Sequence, residues 1–295
     1  MATPQPGIFA QGTRSHYHLE FDLRRGADPA GVAAGAARLR EPHVTAGGAN
    51  LVVGFGADLW RVLAPDAVPP LLAPFTPIEG DGRRAPATQH DVWVWLHGTG
   101  PDLLLDMARL VTVALGPELD LAAEQPCFVY RDSRDLTGFV DGTENPPVEE
   151  APQVAVIPDG PGAGGSYAMT MRWVHDLAAF DRLSVPDQEA VIGRTKTDSV
   201  ELDDKPPTAH ISRVVVEEGG EELEIYRRSV PYGRVTEHGL YFVAFSADRT
   251  RFDRMLARMF GTTGDGLHDH LTDFSRPVGG SYYFAPPLEA LATLG

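Results

Sequence analysis

A single cysteine, Cys127, stands in 295 residues. One thiol excludes an intrachain disulfide framework, a multi-thiolate metal site and an iron–sulfur cluster, and it fits a reducing compartment. Positive charge is scarce as well: 25 Lys and Arg face 41 Asp and Glu, a net −16 with a pI near 4.9. Nucleic acid and anionic membrane surfaces carry the same sign and are poor partners for such a chain. No apolar run approaches the roughly 18 residues that cross a bilayer. The start, Met1-Ala-Thr-Pro-Gln-Pro-Gly7, lacks the basic and apolar regions of a secretion signal. The expectation is a cytoplasmic protein with no membrane partner. His-Glu-x-x-His, a Walker glycine loop and Gly-x-Ser-x-Gly are missing too, which leaves the common hydrolase readings without support.

What is present is a 43% hydrophobic content, enough to core one large or two ordinary domains. The patterning favours two. His16–Leu23 alternates as a strand, and a helix follows from Asp28 as N-cap and Pro29 at the first position to about Arg40. The same pair recurs as Asp91–His97 with Pro101–Leu115, as Ser166–Val174 with a helix over about 176–183, and as Leu240–Phe245 with Thr250–Phe260. Further strand-like runs fall at Asn50–Phe55, Ile211–Glu217 and Leu223–Arg227, the last two flanking a hairpin turn at Glu218-Gly-Gly-Glu221. The expected class is α+β, two similar halves, each an antiparallel sheet with helices packed on one face. Residues 1–145 form the first domain, the Pro-, Gly- and acid-rich stretch 146–165 a linker, and residues 166–295 the second domain.

The segment Gly138-Phe-Val-Asp-Gly-Thr-Glu-Asn-Pro146 reads as a site. Gly138 and Gly142 permit backbone angles closed to other residues, Pro146-Pro147 stiffens the exit, and Asn145 before proline is pushed away from the helical region. Such a loop holds one carboxylate, Asp141, in a fixed orientation; the bland alternative is an Asx-type turn between domains. Among the ten histidines, His16 and His18 share a strand face, as a two-ligand pair or as plain surface residues. His268 and His270 lie two apart on an expected helix over 266–274 and would point in different directions. His210 follows the stiff Lys205-Pro-Pro-Thr-Ala209 and is delivered to the mouth of the strand expected from Ile211. Arg227 ends a strand before a turn, a place for a solvated charge unless an anion pairs with it.

Five segments in this order resemble the motifs of the dye-decolourising heme peroxidases: Gly138–Pro146, Ile192-Gly-Arg-Thr-Lys-Thr-Asp198, Ala209-His-Ile-Ser-Arg213, Arg227-Arg-Ser-Val-Pro-Tyr-Gly233 and Ser275–Pro287. The resemblance covers nearly the whole chain, and the length is closest to the compact bacterial, B-type-like subfamily. It implies two ferredoxin-like halves with one heme b held in the C-terminal half. It also implies an enzyme that reduces hydrogen peroxide and oxidises dyes, phenols or other one-electron donors by way of an oxyferryl heme, and a homo-oligomer.

Position by position, the resemblance implies that His210 is the axial ligand of the heme iron, its other nitrogen held by Asp269 or, alternatively, Asp273. Asp141 and Arg227 are the implied catalytic pair, one moving the peroxide proton and the other stabilising negative charge on the leaving oxygen. Arg194 would pair with a heme propionate. Gly142 and Thr143 would let the backbone pass close over the porphyrin, with Glu144 beside them. Ser229 stands where many relatives have asparagine, and its smaller hydroxyl would admit another water. Glu144, Glu201 and Glu222 are either a cation site, for manganese as an example, or a solvated acidic face. Trp93, Trp95, Trp173 and the tyrosines near Tyr282 are either electron relays or core. An aspartate of ordinary pKa, about 4, implies an acidic optimum for dye oxidation, unless burial raises that value. Two other readings compete: a heme-handling protein using His210 and Arg194 for storage, transfer or iron recovery, and a non-heme α+β binding module with Asp141 as a turn residue. A carrier has no need of an acid and an arginine aimed at peroxide.

Overall fold

The computed structural model describes residues 2–39 and 48–294. The N-terminal half runs β1 (Ser15–Leu23), α1 (Pro29–Leu39), β2 (Ala49–Phe55), α2 (Ala57–Leu63), a small hairpin of β3 (Ile78–Gly80) and β4 (Arg83–Ala85), β5 (Val92–Gly98), α3 (Pro101–Leu115) and β6 (Leu119–Phe128). The C-terminal half runs α4 (Ala151–Ala155), β7 (Ser166–His175), α5 (Leu177–Phe180), α6 (Val185–Ile192), α7 (His210–Val214), and a hairpin of β8 (Glu217–Glu218) and β9 (Glu221–Glu222). It continues with β10 (Tyr226–Arg227), β11 (Val230–Gly233), β12 (His238–Ser246), α8 (Thr250–Met259), β13 (Ser275–Ala285) and α9 (Leu288–Thr293). Asp28 accepts the amide of Ala30 at 3.0 Å at the start of α1; the expected end at Arg40 lies outside the described residues.

Among the described residues nine strands form one antiparallel sheet in the order β10-β12-β7-β13-β2-β5-β1-β6, with β11 beside β12. Each half repeats the ferredoxin-like order, its first strand between its last and its third. Strand alternation then sorts the side chains. On β5, Val92, Val94 and Leu96 join the core under α1 and α3, while Trp93 and Trp95 join a second core with Tyr241, Phe245 and Tyr283 of the other half. Both faces are thus covered, which explains why His16 and His18 are only 4% and 1% exposed. His18 stacks on Tyr241 with ring centroids 3.9 Å apart, and His16 accepts the Trp95 indole N–H at 3.1 Å. Burial, with the Arg228 charge, lowers His16 to about 3. These are core imidazoles that burial keeps neutral, not surface residues.

The halves meet where β2 and β13 share a single residue pair, Phe55 with Phe284. Two glutamines complete this seam. Gln5, 2% exposed, accepts from Val53 N at 2.8 Å and donates to Val53 O at 2.8 Å and Pro286 O at 2.9 Å. Gln89 accepts from Tyr282 N at 2.9 Å and donates to Tyr282 O at 2.8 Å. Each side-chain amide stands in for a missing strand residue.

Several expected elements differ, among them Leu223–Arg227, which is strand only at Tyr226–Arg227. Ile211–Glu217 reads as a strand from its valines, yet His210–Val214 is helical, because Arg213, 2% exposed, anchors the turn to Arg258 O at 3.0 Å and Asp265 at 2.9 Å. The helix expected over 266–274 shrinks to a 3-10 turn, His270–Asp273, since Gly264 and Gly266 take positive φ and Asp269 caps Leu271 N at 2.9 Å. The stretch read as linker carries α4, whose Ala151 and Ala155 are buried. Gln5→Ala strips partners from three buried backbone groups; at about 1 kcal/mol or more each, urea unfolding is expected to show a loss of about 3 kcal/mol.

Candidate active site

A cavity opens on the face of the C-terminal half that carries the alternate residues of β7 and β12. Its floor is Met169, Met171, Trp173, Leu240 and Phe242, and α8 contributes Met255 and Met259. Into this apolar space converge His210, Asp141, Arg227 and Arg194, with Gly142, Thr143 and Glu144 along one edge.

His210 is the first residue of α7, after a Pro206-Pro207 turn whose Ala209 N–H bonds Pro206 O at 3.0 Å. Its Nδ1 lies 2.6 Å from Oδ2 of Asp269, which is fully buried. The structure brings Asp269, and not Asp273, to His210; Asp273 pairs with Arg83. Holding Nδ1 in this way fixes the ring and leaves Nε2 for the cavity.

The loop bearing Asp141 is held by its own backbone. Gly138 and Gly142 adopt φ of 90° and 79°, angles that side chains resist. Asp141 N donates to Ser133 O at 3.0 Å, and Arg134 donates to Gly138 O at 2.9 Å and Lys196 O at 2.7 Å. Asn145 then ties the loop to β10, donating to Arg227 O and accepting from Arg227 N, both at 2.8 Å. That reciprocal pair sets Asp141 and Arg227 on one rim. Both are only partly exposed and line the cavity, and burial leaves their charges poorly solvated. Burial pushes the Asp141 carboxyl above the usual aspartate value, and the Arg227 guanidinium pulls it part of the way back. Asp141, Gly142 and Arg227 also line a second, adjoining cavity with Arg14, Tyr130 and Arg228.

Arg194 follows Gly193, whose φ of 95° closes α6 and where a Cβ would lie 2.5 Å from Ile211. Its guanidinium pairs with Glu144, with Glu201 at 3.4 Å and with Ser199 O at 2.6 Å, while its buried Nε has no hydrogen-bond partner. Thr143 shares a 2.9 Å hydrogen bond with Ser199. Ser229 is not in this cavity: the chain leaves β10 before it, and its hydroxyl turns to Val243 N at 3.2 Å on the wall of the second one. Glu144, Glu201 and Glu222 do not converge on an ion-sized space among the described residues, since Arg194 engages the first two. Trp93 and Trp95 are core, Trp173 lines the cavity, and Tyr282 donates to Asp253 at 2.8 Å.

Sequence reasoning missed two groups. Asn145 carries no signal in the sequence beyond its place before a proline. Asp135, on the cavity wall, receives His175 Nε2 at 3.1 Å and both N and Oγ1 of Thr137, at 2.8 and 2.6 Å. Its Asp-x-Thr spacing was the available signal. Burial raises this carboxyl, but the bonds from His175 and Thr137 outweigh it and hold it near 2.

A model of the Dyp-type peroxidase N-terminal domain matches residues 5–128, and one of the C-terminal domain matches residues 132–290. The chain belongs to the Dyp-type peroxidase family. The dye-decolorizing peroxidase of Rhodococcus erythropolis is 36% identical over 98% of this chain and 88% of its own length. The fold matches a dye-decolorizing protein from V. cholerae with a TM-score of 0.91 and 37% identity, covering 98% of both chains. It matches a variant of DypB from Rhodococcus jostii RHA1, solved in complex with heme, with a TM-score of 0.94 and 33% identity over 99% of both.

Asp135→Asn is expected to lower the melting temperature at pH 7. The depressed carboxyl contributes stability above its unfolded value near 4 that disappears as pH falls toward about 2. The gap between variant and wild type therefore closes across that window in thermal unfolding.

Proposed function

We propose that the cavity holds heme b and that this chain is a hydrogen-peroxide-dependent peroxidase oxidising dyes, phenols or other one-electron donors. The observation that carries the reading is the convergence of a carboxylate-held imidazole and a poorly solvated Asp–Arg pair in one apolar cavity. The residues fit the group. A largely apolar floor suits a porphyrin face, His210 offers one oriented nitrogen, and the orphaned Nε of Arg194 suits a propionate, with Glu144 and Glu201 giving up their share of the guanidinium. Bound heme iron supplies an open position for peroxide and accepts its oxidising equivalents.

The side chains do the proton work. Asp141, as carboxylate, would take the proton from one oxygen of peroxide and give it to the other, which then leaves as water. Arg227 stays protonated and holds the negative charge that grows on that leaving oxygen. One-electron donors would supply the two electrons that, with two protons, balance the reduction of peroxide to two waters. The acid–arginine pair favours an enzyme over a heme carrier, which needs neither. No helix among the described residues is long and apolar enough to cross a membrane; the lone, buried Cys127 supports the cytoplasm as the compartment. The reading extends to a homo-oligomer of two-domain chains, residues 1–145 and 166–295 joined by 146–165.

His210→Ala is expected to lose the wild-type Soret band and most bound heme in a heme titration; unchanged affinity and spectrum would remove His210 as ligand. Asp141→Asn is expected to slow the reaction with peroxide by about 10²–10⁴-fold. Because the carboxylate is the active form, the wild-type rate falls as pH drops through a value above 3.8. That acid limb is absent from the pH–rate profile of the asparagine variant, and the burial-raised carboxyl removes the ground for the acidic optimum expected of an ordinary aspartate.

A further inference from the structure

The segment that presents Asp269 to His210 carries a second cluster that the peroxidase reading does not use. His268 and His270 flank Asp269, and one ligand atom from each of His268, His270 and Asp273 lies within 4.8 Å of the others. On the helix expected from sequence these histidines would diverge. The backbone at Asp269 is instead extended, with φ −79° and ψ 116°. In extended chain, residues two apart project to the same side and the residue between them to the other. Asp269 therefore reaches His210, while its two neighbours come together with ring centroids 5.3 Å apart.

Each imidazole is already oriented through Nδ1. His268 Nδ1 lies 2.6 Å from Asp81 Oδ2, and His270 Nδ1 lies 3.3 Å from Thr208 Oγ1. Metal-binding histidines are held in this manner, the outer nitrogen engaged by an oxygen so that Nε2 faces the ion. The Nε2 of His268 is buried without a hydrogen-bond partner, 3.7 Å from Asp273 Oδ1. Two imidazoles sharing one tetrahedral zinc at nitrogen distances of about 2.0–2.1 Å have ring centroids about 5 Å apart, close to what is seen. Arg83 bonds to Asp273 and to Asp81, the latter at 3.2 Å, and so competes for the carboxylates. That competition disfavours magnesium and calcium, which depend on oxygen donors, and leaves ions with a strong affinity for imidazole.

We propose that His268, His270 and Asp273 form a binding site for a divalent late transition-metal ion of the zinc type, with solvent completing the coordination. The site bears on the heme pocket through two strands of chain. His270 receives support from Thr208 through its ring and through its own N–H, which bonds Thr208 O at 3.0 Å, two residues before His210. The ligands also bracket Asp269. A bound ion thus ties together both segments that set the His210–Asp269 hydrogen bond, and it stabilises the folded chain by mass action.

The test is isothermal titration of zinc chloride into untagged, heme-loaded protein, with thermal unfolding in the same buffers. Wild type and the control His238→Ala are expected to bind one zinc per chain and to gain melting temperature on adding it. His268→Ala and His270→Ala are expected to lose both responses while keeping the wild-type Soret band, which reports an intact pocket. Asp81→Asn, which touches no metal, is expected to weaken binding about 10–100-fold through loss of orientation. Absence of zinc binding in wild type would overturn the proposal. So would unchanged binding in His268→Ala and His270→Ala, or a loss accompanied by loss of the Soret band that His268→Gln and His270→Gln restore together with the zinc response.

Discussion

Asp269 is a carboxylate with no access to water, and both of its oxygens are engaged: Oδ2 with His210 Nδ1 at 2.6 Å, Oδ1 with the backbone N–H of Leu271 at 2.9 Å. A buried charge that lost either partner would carry an uncompensated desolvation cost. The two bonds therefore bind the start of α7 to the 3-10 turn and fix the plane of the imidazole. Ring orientation decides where Nε2 points, and the use of the apolar cavity follows from that. On the neighbouring positions, the same extended residue gathers His268 and His270.

The remainder of the site depends on joining two halves of chain that share little sheet. Among the described residues only one pair links β2 to β13 directly, and Gln5 and Gln89 supply the missing hydrogen bonds. Asn145 repeats the device at the site itself, an amide that mimics a strand neighbour of Arg227. Through it the loop after β6 and the strand β10 bring an acid and a guanidinium together in a poorly solvated place, where each moderates the other's titration.

Much of this was legible in the sequence because it is local. The strand–helix units follow from alternation and from caps such as Asp28, and the glycines at 138 and 142 announced the loop that holds Asp141. Long-range packing was not legible. His16 and His18 alternate as a surface strand would, and only the face-to-face packing of two halves buries them. The valines after Arg213 favour a strand, but one arginine bonded to Arg258 and Asp265 enforces a helix. The cluster around His268 depends on Asp81, far away in sequence, and on an extended bond at Asp269 that an acidic, helix-like composition concealed.

The most direct test of the account is stopped-flow absorption of the heme-loaded protein mixed with one equivalent of hydrogen peroxide, in wild type, Asp141→Ala, Arg227→Ala and the double variant. If the two residues act as one unit, each single variant loses most of the fast spectral change and the double variant is little slower than the worse single one. A wild-type rate in both single variants would contradict the assignment of this cavity as the place where peroxide is cleaved.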